Sequence, residues 1–260
     1  MPNRPPEIAP RFLFVLLGLI LAVATACGGN TTDEADEPDT SPAGDQADAS
    51  AEGDQTDAQT QSGRADGEVR LLAIGDSVLD FSGEASTPQR VGVALESEGV
   101  TAEVVNRAIG GTCLLYCGRG DERIPERYVD RDWTHVLISG GGNDLGELEG
   151  ECRPPDPLMS ADLASGTMVD LVDGIPGDVV VLLYRYSSAV PLEELCPEVS
   201  TLMERYAAFA AERTNVVLVD ANVVSGPDTP ELWADNVHPN EEGSDVIGRM
   251  IADLILDADR

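Results

Sequence analysis

Between positions 68 and 260 short apolar runs alternate with longer amphipathic stretches. The run at 69–74 ends in Gly-Asp-Ser and reads as a buried strand. Runs at 102–108, 135–139, 178–184 and 215–220 predict four more. Helical periodicity lies around 91–95 and over about 158–173, 198–213 and 241–257. Strands alternating with helices predict a parallel sheet covered on both faces, a three-layer α/β/α sandwich with five strands. Residues 68–260 suit one such domain.

The pattern upstream is different in kind. Residues 28–67 contain no Val, Ile, Leu, Met, Phe, Trp or Tyr, and hold eleven acidic residues against one Arg. Such a segment has no apolar surface to offset the entropy of ordering, so it reads as a disordered, self-repelling linker. Residues 1–27 have the form of an export signal: Arg4 and Arg11, an apolar run at 12–24 too short to span a membrane comfortably, then Ala24-Thr25-Ala26-Cys27. Small residues before Cys27 resemble a bacterial lipoprotein processing site, although Ala24 stands where such sites usually carry Leu. The expectation is lipidation at Cys27 and a place on the extracytoplasmic face of the cell membrane, with plain secretion as the alternative.

Composition narrows the chemistry. The net charge is −32, and all sixteen basic residues are Arg. Without Lys there is no Walker phosphate loop, Schiff-base lysine or Ser-x-x-Lys acylation site. The acidic balance argues against nucleic acid, which needs a basic stripe. The two histidines, His135 and His238, leave little for a metal centre, so neither metal nor cofactor is expected. Glu147, Glu149 and Glu151 lack the liganding pattern of a calcium loop.

In an open parallel sheet ligands bind beyond the C-terminal ends of the strands. Four suggestive segments fall there: Gly75-Asp76-Ser77, Asn106 to Gly111, Gly140 to Asp144, and Asp235-Asn236-Val237-His238. A serine hydroxyl needs a base to become a nucleophile, and imidazole is the side chain that exchanges protons near neutral pH. Asp235, three residues before His238, lets one loop present both carboxylate and ring. The oxyanion of an acyl-transfer intermediate needs donors. The N–H groups of Ser77 and Gly110 and the side-chain amide of Asn143 are candidates. Each residue also has a structural reading: Ser77 as a helix cap, Asn143 as a turn residue, Asp235 as a residue opening a helix. Asp76 and Asp144 read as loop braces, His135 as structural, and Trp233 as packing or pocket lining.

These four segments resemble the blocks of the SGNH or GDSL hydrolase family across the whole folded region. The matches are Ser77, Gly110, Asn143 within Gly141-Gly142-Asn143-Asp144, and Asp235 with His238; Val78 stands where Gly-Asp-Ser-Leu has Leu. The resemblance implies catalytic Ser77, Asp235 and His238, an oxyanion hole of Ser77, Gly110 and Asn143, and the flavodoxin-like strand order 2-1-3-4-5. The expected activity is that of a monomeric serine esterase working through an acyl-serine intermediate. Its substrate would carry a short acyl group on a small alcohol or an envelope glycan. Two alternatives stay open: an O-acyltransferase acting on cell-envelope sugars, and a lipoprotein that binds glycan or protein without turnover.

Setting Cys27 aside leaves four cysteines, which in an exported domain imply two disulfides with three possible connectivities. Cys113–Cys117 and Cys152–Cys196 is the favoured pairing. The first would tighten the loop after Gly110, and the second would join the loops following strands three and four.

Overall fold

The computed structural model describes residues 68–116, 123–146 and 152–258. The readings that fall on Cys27, on the linker, on Cys117 and on the three glutamates at 147–151 lie outside the described residues. Five strands form one parallel sheet: β1 (Glu68–Ile74), β2 (Thr101–Asn106), β3 (His135–Ile138), β4 (Val180–Arg185) and β5 (Val216–Asp220). Their order is β2-β1-β3-β4-β5, as expected. Leu71 to Ile74, Val136 to Ile138 and Val181 to Leu183 have no exposed surface, because these central strands are covered on both faces. The edge strand β2 is only half-buried along most of its length.

Seven helices accompany the sheet among the described residues. They are α1 (Ser77–Asp80), α2 (Thr87–Ser97), α3 (Gly142–Leu145), α4 (Thr167–Asp173), α5 (Leu192–Leu195), α6 (Pro197–Ala211) and α7 (Glu241–Ala258). α2 packs on α7 and β2, and α6 on β4 and β5, giving an α/β sandwich. Gly248 allows the α2–α7 approach: a Cβ there would lie 2.6 Å from Cβ of Arg90. α7 buries Ile247, Ile251 and Ile255, one apolar stripe at helical spacing. No described helix is long and apolar enough to cross a membrane.

One predicted helix is half wrong. The periodicity at 158–173 is realised only in α4, and 160–166 is an irregular loop. Polar side chains capture its backbone: Ser160 Oγ accepts from Ser165 N at 3.1 Å, and Asp162 Oδ1 from Ala164 N at 3.3 Å. Leu163 (φ 60°) and Gly166 (φ 122°) are left-handed. A Cβ on Gly166 would strike the Leu158 carbonyl, 2.5 Å away. These local bonds outweigh an apolar spacing that satisfied either conformation.

The pairing register puts the strand ends level. Ala73 lies beside Asn106, Ile74 beside Ile138, and Arg185 beside Asp220. The loops that follow therefore emerge together along one edge of the sheet.

Candidate active site

β1 runs into Gly75-Asp76-Ser77, and the turn begins at a glycine because the neighbouring strand end is too close for a side chain. A Cβ on Gly75 would collide with Ser139 Oγ. Asp76, and not Ser77, caps α1: its Oδ1 accepts from Val78 N at 3.2 Å. The capping role considered for Ser77 is thus filled by its neighbour, and Ser77 stands as the first helical residue with its hydroxyl turned elsewhere.

Asp76 is also a junction. Ser139 Oγ, at the end of β3, donates to its Oδ1 at 3.0 Å, and Tyr186, just beyond β4, donates to its Oδ2. The Tyr186 hydroxyl in turn accepts from Gly142 N at 3.4 Å. One buried carboxylate thereby joins the ends of three strands. Burial pushes Asp76 above the usual carboxylate range, against the lowering effect of Tyr186, Val78 N and Ser139. Burial likewise holds the Tyr186 hydroxyl well above its ordinary value, with the Asp76 charge adding to it.

His238 reaches the same place from the far side. An antiparallel bridge between Trp233 and Pro239 pinches the chain, and Asp235 and His238 occupy the tip. Asp235 Oδ1 accepts from Val237 N at 2.8 Å and His238 N at 2.9 Å, an Asx turn that shapes the loop. Its Oδ2 lies 2.7 Å from His238 Nδ1, and His238 Nε2 lies 2.8 Å from Ser77 Oγ. Serine, histidine and aspartate thus form one continuous chain of hydrogen bonds, although 161 positions separate Ser77 from His238. Partial burial alone would raise Asp235, but its bonds to the His238 ring and the two backbone N–H groups carry it below the ordinary range. Phe81 stacks on the imidazole, with centroids 4.7 Å apart and planes within 14°.

The structure brings the two remaining predicted residues to the Ser77 site, each with one hydrogen already donated elsewhere. Gly110 lies against the nucleophile turn: a Cβ there would be 3.6 Å from Ser77 Cβ. Its N–H donates to Asp80 Oδ2 at 2.9 Å. Asn143 sits in α3, preceded by left-handed Gly141 (φ 102°), where a Cβ would collide with Leu202. One amide hydrogen of Asn143 goes to the Thr112 carbonyl at 2.8 Å, and a side-chain amide carries two. Beside Ser77 a cavity of about 240 Å³ opens, lined by Asn143, Tyr186, Leu192, Leu195, Val199 and Val237.

The flanking residues have structural roles. Asp144 is buried and accepts from the N–H groups of Leu114, Leu115 and Tyr116 at 2.8, 2.7 and 3.0 Å, fixing the chain after Gly110. Burial raises it too, against those three bonds. His135 is buried at the start of β3, with Nδ1 2.9 Å from Thr134 Oγ1. Trp233 is 8% exposed, and its indole N–H donates to the Gly226 carbonyl at 3.2 Å, so it packs instead of lining the cavity. Cys152 and Cys196 are joined, as favoured, across 44 positions, and Cys196 lines the cavity. Cys113 is also disulfide-bonded, whereas its pairing with Cys117 involves a residue outside those described. Cys152, Cys196 and Glu198 are the group of potential metal ligands among the described residues, and their two sulfurs are spent on each other. Asp80, Phe81 and Tyr186 are the site residues that sequence reasoning missed; of the three, Asp80 and Phe81 follow Ser77 within four positions and were the more findable.

A parallel α/β sheet with a Ser–His–Asp chain at its C-terminal edge is an arrangement suited to acyl transfer through a serine nucleophile. Residues 73–246 match the model of the GDSL-like lipase/acylhydrolase family. The chain belongs to that family and is an ester hydrolase. No curated protein sequence matches it. Solved structures share the fold. A carbohydrate acetylesterase family member from Sinorhizobium meliloti is 16% identical with a TM-score of 0.53, covering 73% of this chain and 98% of its own. A member of the lipolytic G-D-S-L family from Veillonella parvula DSM 2008 is 16% identical with a TM-score of 0.53, covering 72% and 98%. A protein named TesA is 21% identical with a TM-score of 0.54, covering 73% and 99%.

Proposed function

We propose that the protein cleaves a carboxylic ester through an acyl-Ser77 intermediate, with His238 as general base and acid and Asp235 orienting its ring. The observation that carries this is the unbroken hydrogen-bond chain from Asp235 Oδ2 through His238 to Ser77 Oγ. Ser77 Oγ bonds to the carbonyl carbon as His238 Nε2 takes its proton, and the carbonyl π pair moves onto oxygen. Collapse breaks the bond to the alcohol oxygen, which leaves with that proton. Water then attacks the acyl-serine by the same route in reverse, returning Ser77 and releasing the acid. The Ser77 N–H and the second Asn143 amide hydrogen are the donors for the oxyanion.

The acyl group enters the apolar cavity. Its volume of about 240 Å³ exceeds the ~150 Å³ that admits benzene, so a chain of several methylenes fits as well as acetyl. The alcohol half lies on the other flank of Ser77, toward Phe81. With residues 1–27 read as an export signal, we assign a sugar hydroxyl of the cell envelope as the alcohol and Cys27 as the position of a lipid anchor on the extracytoplasmic face.

The test is Ser77→Ala assayed on esters of graded acyl length beside labelling with a serine-reactive phosphonate. The wild type is labelled at Ser77. The variant is unlabelled, melts like the wild type, and loses turnover by roughly ten-thousandfold or more. Turnover at the wild-type rate in the variant overturns the mechanism.

A further inference from the structure

One contact at the site works against the chemistry just described. Gly110 packs against Ser77, and its N–H, the oxyanion donor that the family resemblance implies, is held by the Asp80 carboxylate at 2.9 Å. Ser77 and Asp80 are the two ends of the one-turn helix α1, three positions apart and so on one face. An oxyanion must come within about 2.7–3.1 Å of its donors. The single hydrogen of Gly110 cannot serve two anionic oxygens, and a carboxylate left there repels the charge that develops on the substrate.

The position of Asp80 tells which half of the substrate meets it. The apolar cavity is lined by Val78, Asn143, Tyr186 and residues of α5 and α6, and by neither Asp80 nor Gly110. With the acyl group in that cavity, the alcohol half occupies the opposite flank of Ser77. Phe81, next to Asp80, stacks on His238, the group that returns a proton to the leaving oxygen. Asp80 and Phe81 thus border the place where the alcohol leaves.

We propose that Asp80 selects the alcohol: its carboxylate exchanges the Gly110 N–H for hydroxyl donors on the substrate, so that only an alcohol bearing free hydroxyls beside the ester, such as a sugar ring, completes the oxyanion site. This rests on the acyl-Ser77 reading. With a polyhydroxylated alcohol the exchange is one donor for another, and the carboxylate is never left bare. A plain alkyl alcohol offers no donor. Asp80 then either keeps the Gly110 N–H or stands unpaired beside the oxyanion, and both slow the reaction. Asp80 is therefore a specificity residue acting on the alcohol, while the cavity governs the acyl chain independently.

The experiment compares ethyl butyrate with 6-O-butyrylglucose, which share an acyl group, in the wild type, Asp80→Ala and Asp80→Asn. Acid release gives kcat and KM, and phosphonate labelling of Ser77 is followed in all three. In the wild type kcat/KM favours the sugar ester. Asp80→Ala raises kcat/KM for ethyl butyrate on the order of tenfold, the equivalent of one competing hydrogen bond. It also raises KM for the sugar ester, so the preference collapses. Asp80→Asn, which still accepts from Gly110 but carries no charge, also raises the ethyl butyrate rate. If Asp80 only braces the glycine, Asp80→Asn matches the wild type and Asp80→Ala slows both esters alike; an unchanged preference in this form overturns the proposal. Labelling separates this failure from that of the serine mechanism: intact Ser77 labelling with an unchanged preference refutes the role of Asp80 alone, and absence of labelling in the wild type refutes both.

Discussion

Asp76 shows how a residue without a chemical role holds those that have one. Its carboxylate accepts from Val78 N, Ser139 and Tyr186 inside the protein, so removing a donor leaves a buried oxygen unsatisfied. Tyr186→Phe is expected to cost about 1–3 kcal/mol, read as a lowered denaturation midpoint, with a smaller fall in rate. Asp235→Asn acts on the chemistry instead. An amide in place of the carboxylate favours the wrong imidazole tautomer, and turnover is expected to drop by about a thousandfold or more with only a modest fall in melting temperature. Ser77, His238 and Asp235 were legible in the sequence because each stands in a short motif just beyond a strand or before the last helix. Tyr186, Asp80 and Phe81 were not, since their roles depend on which neighbours the fold delivers. The engagement of Gly110 by Asp80 was equally hidden, because a backbone N–H looks the same in every sequence.

At the scale of elements, α3 and the disulfide show two ways of securing a loop. Asp144 of α3 replaces missing secondary structure for 114–116 by accepting three N–H groups. Asp144→Ala strands those donors, and a loss of about 1–3 kcal/mol or more is expected, with proteolysis near 114–116 as a second readout. Cys152–Cys196 ties the segment after α3 to the start of α6. Closing a loop of this size restrains the unfolded chain by about 4 kcal/mol on the chain-entropy model, so a reductant should lower the melting temperature markedly. The five strands and their order were legible because buried central strands read as continuous apolar runs. The segment 158–166 was not: its apolar spacing suits a helix, and only the left-handed backbone at Leu163 and Gly166 reveals the loop.

For the whole molecule, charge sets the response to solution conditions. Burial raises Asp76 and Asp144, so the folded state holds protons that the unfolded chain releases at the same pH. Stability from these groups is fully present below the ordinary carboxylate range and is lost as pH rises through their raised values. Asp235 acts in the opposite sense: its contribution is present above the ordinary range and is lost as pH falls through its lowered value. The net of −32 adds self-repulsion at neutral pH. Melting temperature is therefore expected to rise as pH is lowered from neutrality toward the ordinary carboxylate range, and Asp76→Asn should flatten that slope.

The knot at Asp76 has a consequence for how the enzyme fails on heating. It binds the nucleophile turn to the ends of β3 and β4, so opening at Ser77 is expected to require opening of the central sheet. His238 sits elsewhere, on a pinched loop whose carboxylate, Asp235, is half-exposed. Nucleophile and base are therefore expected to open as separate units, the weaker one governing activity. Amide hydrogens at Val237 and His238 should exchange with deuterium well before that of Val78. Activity should vanish several degrees below the temperature at which the sheet melts, and return on cooling without refolding.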